Sequence, residues 1–290
     1  MQKKYSIAGL TVVLTGGKTL LKVAELPGFT QFEIEGQSKT PPDILINMDK
    51  DVDAAYLTNI QPIHSFYVSD IEHFFIKCKE GYLYEMYKPN GDKIVSIIYD
   101  HNGNATMSAV NSEMYLKYIL WVAFSLPAAG KNVLSIHASS IVNNAGTILF
   151  LGESGTGKST HTRLWLQYIK NSYLLNDDSP LLRIENGKMQ VYGSPWSGKT
   201  HCYQAQTVPL KAIVRLSQYP DNKVSRLNKL GSIGAIYPSF PPFLAYDETF
   251  SGKMIDVLDK IIEDTPVYEL KCRPDKQAAE VVHAAIYQGL

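Results

Sequence analysis

The chain reads as an α+β protein, with a β-rich amino-terminal domain over residues 1–110 followed by a mixed α/β domain over residues 111–290 that carries a phosphate-binding loop. Three observations predict this. Short runs rich in Tyr, Phe, Ile and Val alternate with turn residues through the first domain. A helix-period pattern then starts at Asn111-Ser112-Glu113 and separates two compositions. Beyond it, a Gly-rich octapeptide lies between an apolar run and helix-forming residues, as in a strand–loop–helix unit.

With 28 basic and 28 acidic residues, the 290-residue chain has no formal net charge at neutral pH. That argues against nucleic acid or an anionic membrane as partner, since both favour a positive excess that displaces counterions. Cys78, Cys202 and Cys272 are an odd number without CxxC spacing, so neither a disulfide framework nor a zinc knuckle is expected, and reduced thiols point to the cytoplasm. Lys3-Lys4 followed by Ile7-Ala8-Gly9-Leu10-Thr11-Val12-Val13-Leu14 imitates a short signal peptide but lacks a small-x-small cleavage site, and it reads as a strand. No apolar run approaches the roughly 20 residues of a membrane helix.

In the first domain, residues 73–79, 82–88, 93–99 and 105–110 are expected as strands of a meander. Glu80-Gly81, Pro89-Asn90-Gly91-Asp92 and the Asn/Gly cluster of residues 101–104 would supply its turns. Met114, Tyr115, Tyr118, Ile119, Trp121, Val122 and Leu126 then recur at helical spacing, with Pro127 as the expected stop. In the second domain, residues 133–142 and 147–151 read as buried strands, 159–170 as a helix and 173–176 as the next strand. Further strands are expected at 181–185, 190–192 and 211–217, and helices at 252–263 and 275–288. Residues 221–247 show little periodicity and read as surface loops or a short helical excursion.

Gly152-Glu153-Ser154-Gly155-Thr156-Gly157-Lys158-Ser159 fits the Walker A pattern G-x-x-x-x-G-K-[ST]. Glycines let consecutive backbone N–H groups wrap a polyphosphate, and the lysine neutralises its outer charge. Gly152, Ser154, Gly155, Thr156, Gly157, Lys158, Ser159 and Thr160 are therefore the candidate ATP-binding residues, with Ser159 as a magnesium ligand. The pattern recurs at Gly193-Ser194-Pro195-Trp196-Ser197-Gly198-Lys199-Thr200. There Pro195 removes a donor, Trp196 is bulky and no helix is expected to follow, so a structural loop is preferred, one that could still line a site.

After the loop helix, Leu174-Leu175-Asn176-Asp177-Asp178-Ser179-Pro180 runs a short apolar strand into two carboxylates. A strand–helix–strand crossover returns parallel to its start, which puts this pair on the same sheet edge as the loop. Two carboxylates there could serve as metal ligand and as general base. His137, in the strand-like Leu134-Ser135-Ile136-His137-Ala138-Ser139, is by itself more in keeping with a satisfied structural group.

His137-Ala138-Ser139, the Gly152 to Ser159 loop and Asn176-Asp177-Asp178, in that order and spacing, resemble the HPr serine kinase/phosphorylase family, which shares a nucleotide-binding core with ATP-dependent phosphoenolpyruvate carboxykinases. The resemblance covers about residues 134–178. It implies a P-loop kinase core of that type, with Lys158 and the loop amides on the β- and γ-phosphates and Ser159 on Mg2+. It further implies Asp177 as the base for an acceptor serine, Asp178 as a metal ligand and His137 in contact with the base. Gly193-Ser194-Pro195-Trp196 and Pro209-Leu210-Lys211-Ala212-Ile213 are similar to segments of HPr-kinase-like proteins encoded with ribosomal peptides, whose acceptor is a peptide serine. The glycine-rich signature of the bifunctional enzymes is not recognisable after the aspartates, and Arg215 and Arg226 have no assigned partner. Phosphorylase activity and HPr as acceptor are therefore not implied.

The expectation is an ATP- and Mg2+-dependent kinase acting on a serine hydroxyl of a protein or peptide, with residues 1–110 choosing the acceptor. A kinase of a small hydroxylated metabolite, free serine included, and a non-catalytic ATP-binding or assembly protein are the alternatives. A carboxykinase fits less well, because the chain is short for one and shows no recognised carboxylate-substrate site. The sequence leaves a homo-oligomer open.

Overall fold

The computed structural model describes residues 1–36, 40–52, 58–79, 81–110, 112–198 and 200–289. The chain divides into two units, Met1–Asn132 with Phe243–Ser251, and Val133–Pro242 with Gly252–Leu290. The first expected boundary residue, Asn111, lies outside the described residues, as does Glu80.

Ala8 and Gly9 take positive φ (52° and 72°), the conformation of a two-residue hairpin turn. The run read as one strand is therefore two, β1 (Gln2–Ile7) and β2 (Leu10–Thr15), paired antiparallel. Two short helices follow, α1 (Lys18–Ala24) and α2 (Pro27–Thr30), then β3 (Ile44–Asn47) and β4 (Gln61–Val68). The expected meander is present as β5 (Ile71–Cys78), β6 (Gly81–Tyr87), β7 (Lys93–Asp100) and β8 (Ala105–Met107). The eight strands form one mixed sheet in the order β1-β2-β3-β8-β7-β6-β5-β4, with β3 parallel to both of its neighbours.

Helix α3 (Glu113–Gly130) belongs to this first unit, so the division falls at Asn132/Val133 and not near Asn111. The cause is its apolar load. Leu116, Ile119, Leu120, Ala123, Phe124 and Leu126 are all buried, and the helix packs on β3, β7 and β8. The same load carries the helix past Pro127, the expected stop: Ala128 and Ala129 are buried and extend it to Gly130, despite the N–H that proline lacks.

The second unit holds β9 (Val133–Ser135), β10 (Ser139–Asn143), β11 (Gly146–Leu151), α4 (Lys158–Tyr168), β12 (Ser172–Asn176), β13 (Leu181–Glu185) and β14 (Lys188–Tyr192). Next come β15 (Thr207–Gln218), β16 (Lys223–Arg226) and α5 (Lys229–Ile236), then α6 (Glu248–Asp264), which begins in the first unit, β17 (Val267–Cys272) and α7 (Lys276–Tyr287). The segment 221–247 thus contains a strand, a helix and two 3-10 turns, Tyr237–Ser239 and Pro242–Tyr246. The strands of the second unit form another mixed sheet, β12-β10-β11-β15-β14-β13-β9, with β17 on β15 and β16 on β17.

Strand direction decides where this sheet can work. β10 is antiparallel to both β11 and β12, so β11 and β12 run parallel with β10 between them. β15 and β17 continue parallel to β11 on its other side. One edge therefore collects the carboxyl ends of β11, β12, β15 and β17 and the start of β10, the kind of edge at which open α/β sheets bind ligands. Trp165 of α4 and Val282 and Ile286 of α7 pack with Ile141, Phe150 and Val214 into the core behind it. Among the described residues, no helix is long and apolar enough to cross a membrane.

Candidate active site

The segment read as one buried strand, 133–142, is broken at Ile136-His137-Ala138. Its amides bond elsewhere: Ile136 N to Pro180 O (3.1 Å), His137 N to Ser239 O (2.7 Å) and Ala138 N to Asp178 O (3.0 Å). His137 is accordingly displayed at the sheet edge rather than buried in a strand, its side chain 47% exposed.

Between β11 and α4 the chain makes the loop. Gly152, Gly155 and Gly157 all take positive φ (154°, 84° and 102°), and a Cβ on Gly152 would lie 2.4 Å from Thr156 Oγ1. Thr156 Oγ1 donates to Glu153 O (2.8 Å), Ser154 is exposed and Thr160 half-buried. Gly157 sits at the N-cap of α4, no side chain caps the helix and its first turn holds no acidic residue. Its leading N–H groups and the positive end of its dipole are thus left for an anion.

Lys158 Nζ donates to Gly152 O (2.7 Å), Glu153 O (3.3 Å) and His137 Nε2 (3.0 Å). An ammonium has only donors, so Nε2 accepts and the ring proton sits on Nδ1, which faces Asp178 Oδ1 at 3.5 Å. Burial and the Lys158 charge lower the His137 pKa, while Asp178 and Asp177 oppose them. Burial lowers that of Lys158 as well, with Asp178 opposing and Arg215 adding to it.

Asp177 is buried and Asp178 half-exposed. Asp177 Oδ1 accepts from Ser139 Oγ, and its two oxygens lie 3.3 and 3.2 Å from Ser159 Oγ. The resemblance joins Ser159 to Asp178 as metal ligands and His137 to Asp177. The structure joins Ser159 to Asp177 and His137 to Asp178, because successive residues at a strand end point to opposite sides. Mg2+ holds oxygens at 2.0–2.1 Å in an octahedron, whose adjacent ligands lie about 3 Å apart. The hydroxyl and carboxylate of Ser159 and Asp177 have that separation. Among the described residues, no three His, Cys, Asp or Glu side chains converge as a metal cluster, so such an ion would take its remaining ligands from phosphate and water.

Beneath the pair lies Asn176, fully buried. Its Oδ1 accepts from Asp178 N (3.0 Å) and Ser179 N (2.8 Å), and its Nδ2 donates to Trp196 O (2.8 Å) and Ser194 Oγ (3.2 Å). A Cβ on Gly198 would meet Asp177 O at 3.0 Å. The second glycine loop is therefore a buttress under the carboxylates. Lys199 lies outside the described residues, and no helix forms over residues 200–206, where a phosphate loop would start one. Sequence reasoning gave no role to Asn176, Ser139 or Ser194; their polarity in otherwise apolar strand ends was the available signal. Arg215, also unassigned in sequence, donates to Ala235 O (3.2 Å) and lies 3.9 Å from Glu153.

No family model matches the sequence, nor does any curated protein. Among solved structures, the Hpr(Ser) kinase/phosphatase from Coxiella burnetii is similar over 53% of this chain and 94% of that one, with 11% identity and a TM-score of 0.32. A likeness that slight does not extend to chemistry.

Proposed function

We propose that the chain is an ATP-dependent kinase that transfers the γ-phosphoryl group to a hydroxyl, with serine in a peptide or protein as the acceptor. The observation that carries the reading is the convergence, at one sheet edge, of an uncapped glycine loop, its lysine, a hydroxyl–carboxylate pair spaced for Mg2+ and an exposed carboxylate beside an imidazole. Phosphoryl transfer depends mainly on positioning and charge neutralisation, and these groups supply both.

Lys158 and the leading amides of α4 hold the phosphates, Lys158 giving up its bonds to Gly152 O and Glu153 O for them. Ser159 and Asp177 would hold the magnesium ion, which neutralises phosphate charge when bound. Asp178, the more exposed carboxylate, accepts the acceptor proton, and His137 Nδ1–H orients it. A buried metal ligand and an exposed base suit the exposures of the two aspartates. The serine assignment draws on the sequence resemblance, the rest on geometry.

The test is incubation of the full chain with Mg2+ and γ-labelled ATP against serine-containing peptides, cell extract and hydroxylated metabolites. Label on a peptide or protein serine is expected. Label on a metabolite would replace the acceptor, and ATP retention without transfer would make the chain a binding protein.

A further inference from the structure

The two edges of the eight-stranded sheet are finished differently. Edge strand β1 is closed by the chain itself: Ser6 N donates to Phe32 O (2.8 Å), Ile34 N donates to Lys4 O (2.9 Å), and Tyr5 pairs with Glu33. It also carries Lys3 and Lys4, the kind of charge that keeps another strand off an edge. The opposite edge, β4, has neither device. From Ile63 to Val68 it holds no lysine, arginine or carboxylate, and among the described residues no backbone group from outside the β4–β5 hairpin bonds to it. Tyr67 and Val68 are exposed, as is Met114 of α3.

Which groups β4 leaves open follows from its turn. Ser69 and Asp70 both take positive φ (47° and 65°), the two-residue turn that closes a hairpin on a hydrogen-bonded pair, here Val68 and Ile71. Bonded and non-bonded pairs alternate along an antiparallel ladder, so Phe66–His73 is bonded while Tyr67–Glu72 and Ser65–Phe74 are not. The N–H and C=O of Ser65 and Tyr67 therefore point away from β5, to the open edge. A strand added there would meet a hollow on each face of the sheet, because successive side chains alternate. On the face of Ser65 and Tyr67, a hollow of about 430 Å3 is lined by Glu72, Phe74, Glu85 and Tyr87. On the face of Phe66 and Val68, one of about 290 Å3 is lined by Val68, Ile71, Met86, Met114 and Tyr118.

We infer that β4 is a docking edge for an extended peptide that carries a lysine or arginine and, an odd number of residues away, a long apolar side chain. The inference goes beyond the kinase reading and does not depend on it. Main-chain bonds to Ser65 and Tyr67 supply the affinity of such strand addition, and the two hollows supply its specificity. The basic residue answers Glu72. Lys93 pairs with Glu85, whereas Glu72 accepts from the Tyr67 hydroxyl (2.8 Å) and, among the described residues, pairs with no cation. Ser65 is small, so a long side chain can cross it to reach that carboxylate. The apolar residue answers the second hollow, whose lining is mostly aliphatic, methionine and tyrosine side chains. A second copy of this chain is a poorer occupant, since its own β4 brings no cation to Glu72.

The test is selection from a random octapeptide display library on the full chain, without nucleotide, followed by titration of the selected peptide. The selected sequences should share the basic–apolar pattern. N-methylation of alternate residues should abolish binding in one phase and spare it in the other, since every second N–H of an added strand faces β4. Ser65→Pro, which removes an outward N–H that β5 does not use, should weaken the peptide by about tenfold. Glu72→Gln should weaken it by roughly twofold to fivefold and leave unchanged an analogue with norleucine in place of the basic residue. Selection of no peptide, or of peptides without the pattern, overturns the inference, as does a selected peptide indifferent to Ser65→Pro or to Glu72→Gln, or affected equally in both N-methylation phases. A dimer by light scattering that Ser65→Pro dissociates gives the edge to a second copy and overturns it too. Should circular dichroism show Ser65→Pro unfolded, the two N-methylated series and Glu72→Gln decide. Because nucleotide is absent, failure here leaves the kinase reading standing, and failure of that reading leaves this edge untouched.

Discussion

The two sheets dispose of their carboxylates in opposite ways. In the first unit the buried and half-buried carboxylates are closed by donors from their own surroundings. Asp247 accepts from Tyr82 OH (3.0 Å) and Thr249 N (3.0 Å), and Glu85 from Ser96 Oγ (2.7 Å) and Tyr87 OH (2.9 Å). Asp49 occupies the amino end of α1, accepting from Gly17 N (2.7 Å) and Thr19 N (3.1 Å). Burial pushes the Asp49 carboxyl up, but Thr19 and those amides outweigh it and hold it below its ordinary value. In the second unit, the amino end of α4 has no such carboxylate, and Asp177 is met by two neutral hydroxyls. The start of α4 is thus a helix end that the chain leaves open to an anion, and the start of α1, closed by Asp49, shows the alternative.

The most drastic way to test that contrast is to separate the units. The core of the first unit includes Phe243 and Phe250, whose rings pack against those of Phe75, Tyr84 and Tyr82 although they come from late in the chain. A fragment of residues 133–290 should therefore be insoluble, because Phe243, Leu244 and Phe250 lose burial worth roughly 1.5–3 kcal/mol each. A soluble, monomeric fragment by size-exclusion chromatography would show the units to be independent and would permit ATP binding to be measured on the second alone.

Next in size is catalysis. Asp178→Asn should lower turnover by roughly 10²–10⁴-fold with ATP affinity little changed, the usual worth of a general base. Asp177→Asn should instead raise the Mg2+ concentration needed for half-maximal rate. Reversal of these phenotypes would restore the division of roles implied by the resemblance. Lys158→Ala should weaken ATP by about 100-fold, since the loop supplies no other cation. Lys77→Ala, whose ammonium faces Asp247 at 3.5 Å in the first unit, should leave ATP affinity unchanged in the same titration.

How far the sequence showed this site depends on the range of the contacts involved. The loop and its flanking elements were legible because glycine positions, an apolar run and a helical pattern are local signals. The pairing of β12 beside β10, which brings Asp177 to Ser159, followed from crossover geometry in outline only. The break at His137 was not legible: Ile136 and Ala138 are apolar and buried like Leu134 and Ile141 in the strands on either side, and only bonds to Pro180, Ser239 and Asp178, far along the chain, interrupt the strand. The helix after Asn111 was legible as a helix but not as part of the first unit, since periodicity says which residues are buried and not against what.

Buried histidines offer a comparison in which the units should agree. His73 in the first and His161 in the second each have a pKa lowered to about 4 by burial, and each leaves Nε2 without a partner among the described residues. Both are neutral when folded, while in the unfolded chain they titrate near 6.5. Stability should therefore be flat above about pH 6.5 and fall as pH drops towards 4, because the unfolded chain binds protons that the folded one refuses. The gap is worth at most about 3 kcal/mol for each histidine. His73→Phe and His161→Phe should each flatten the pH dependence of thermal melting across that window, and a slope unchanged in either variant would show that its ring titrates in the fold as it does in the unfolded chain.

The smallest expected effect isolates the role of capping within one unit. Lys158 and Lys276 are each the first residue of a helix, α4 and α7. The α7 start is closed by Asp275, which accepts from Ala278 N (3.0 Å), and Lys276 turns outward to Glu280 at 3.0 Å, an exposed i,i+4 pair. Such pairs contribute about 0.3–0.5 kcal/mol. Lys276 Nζ also lies 5.9 Å from the Tyr168 ring centroid, a contact worth about 0.5–1 kcal/mol at an exposed site, so Lys276→Ala should lower stability by about 1 kcal/mol and leave ATP binding untouched, although it removes the same charge from the same helical position as Lys158→Ala. If Lys276→Ala weakens ATP as Lys158→Ala does, the net charge of the unit governs binding and the uncapped helix start does not. If only Lys158→Ala does, the effect belongs to the geometry at the open end of α4, where glycine stands in place of an acidic cap.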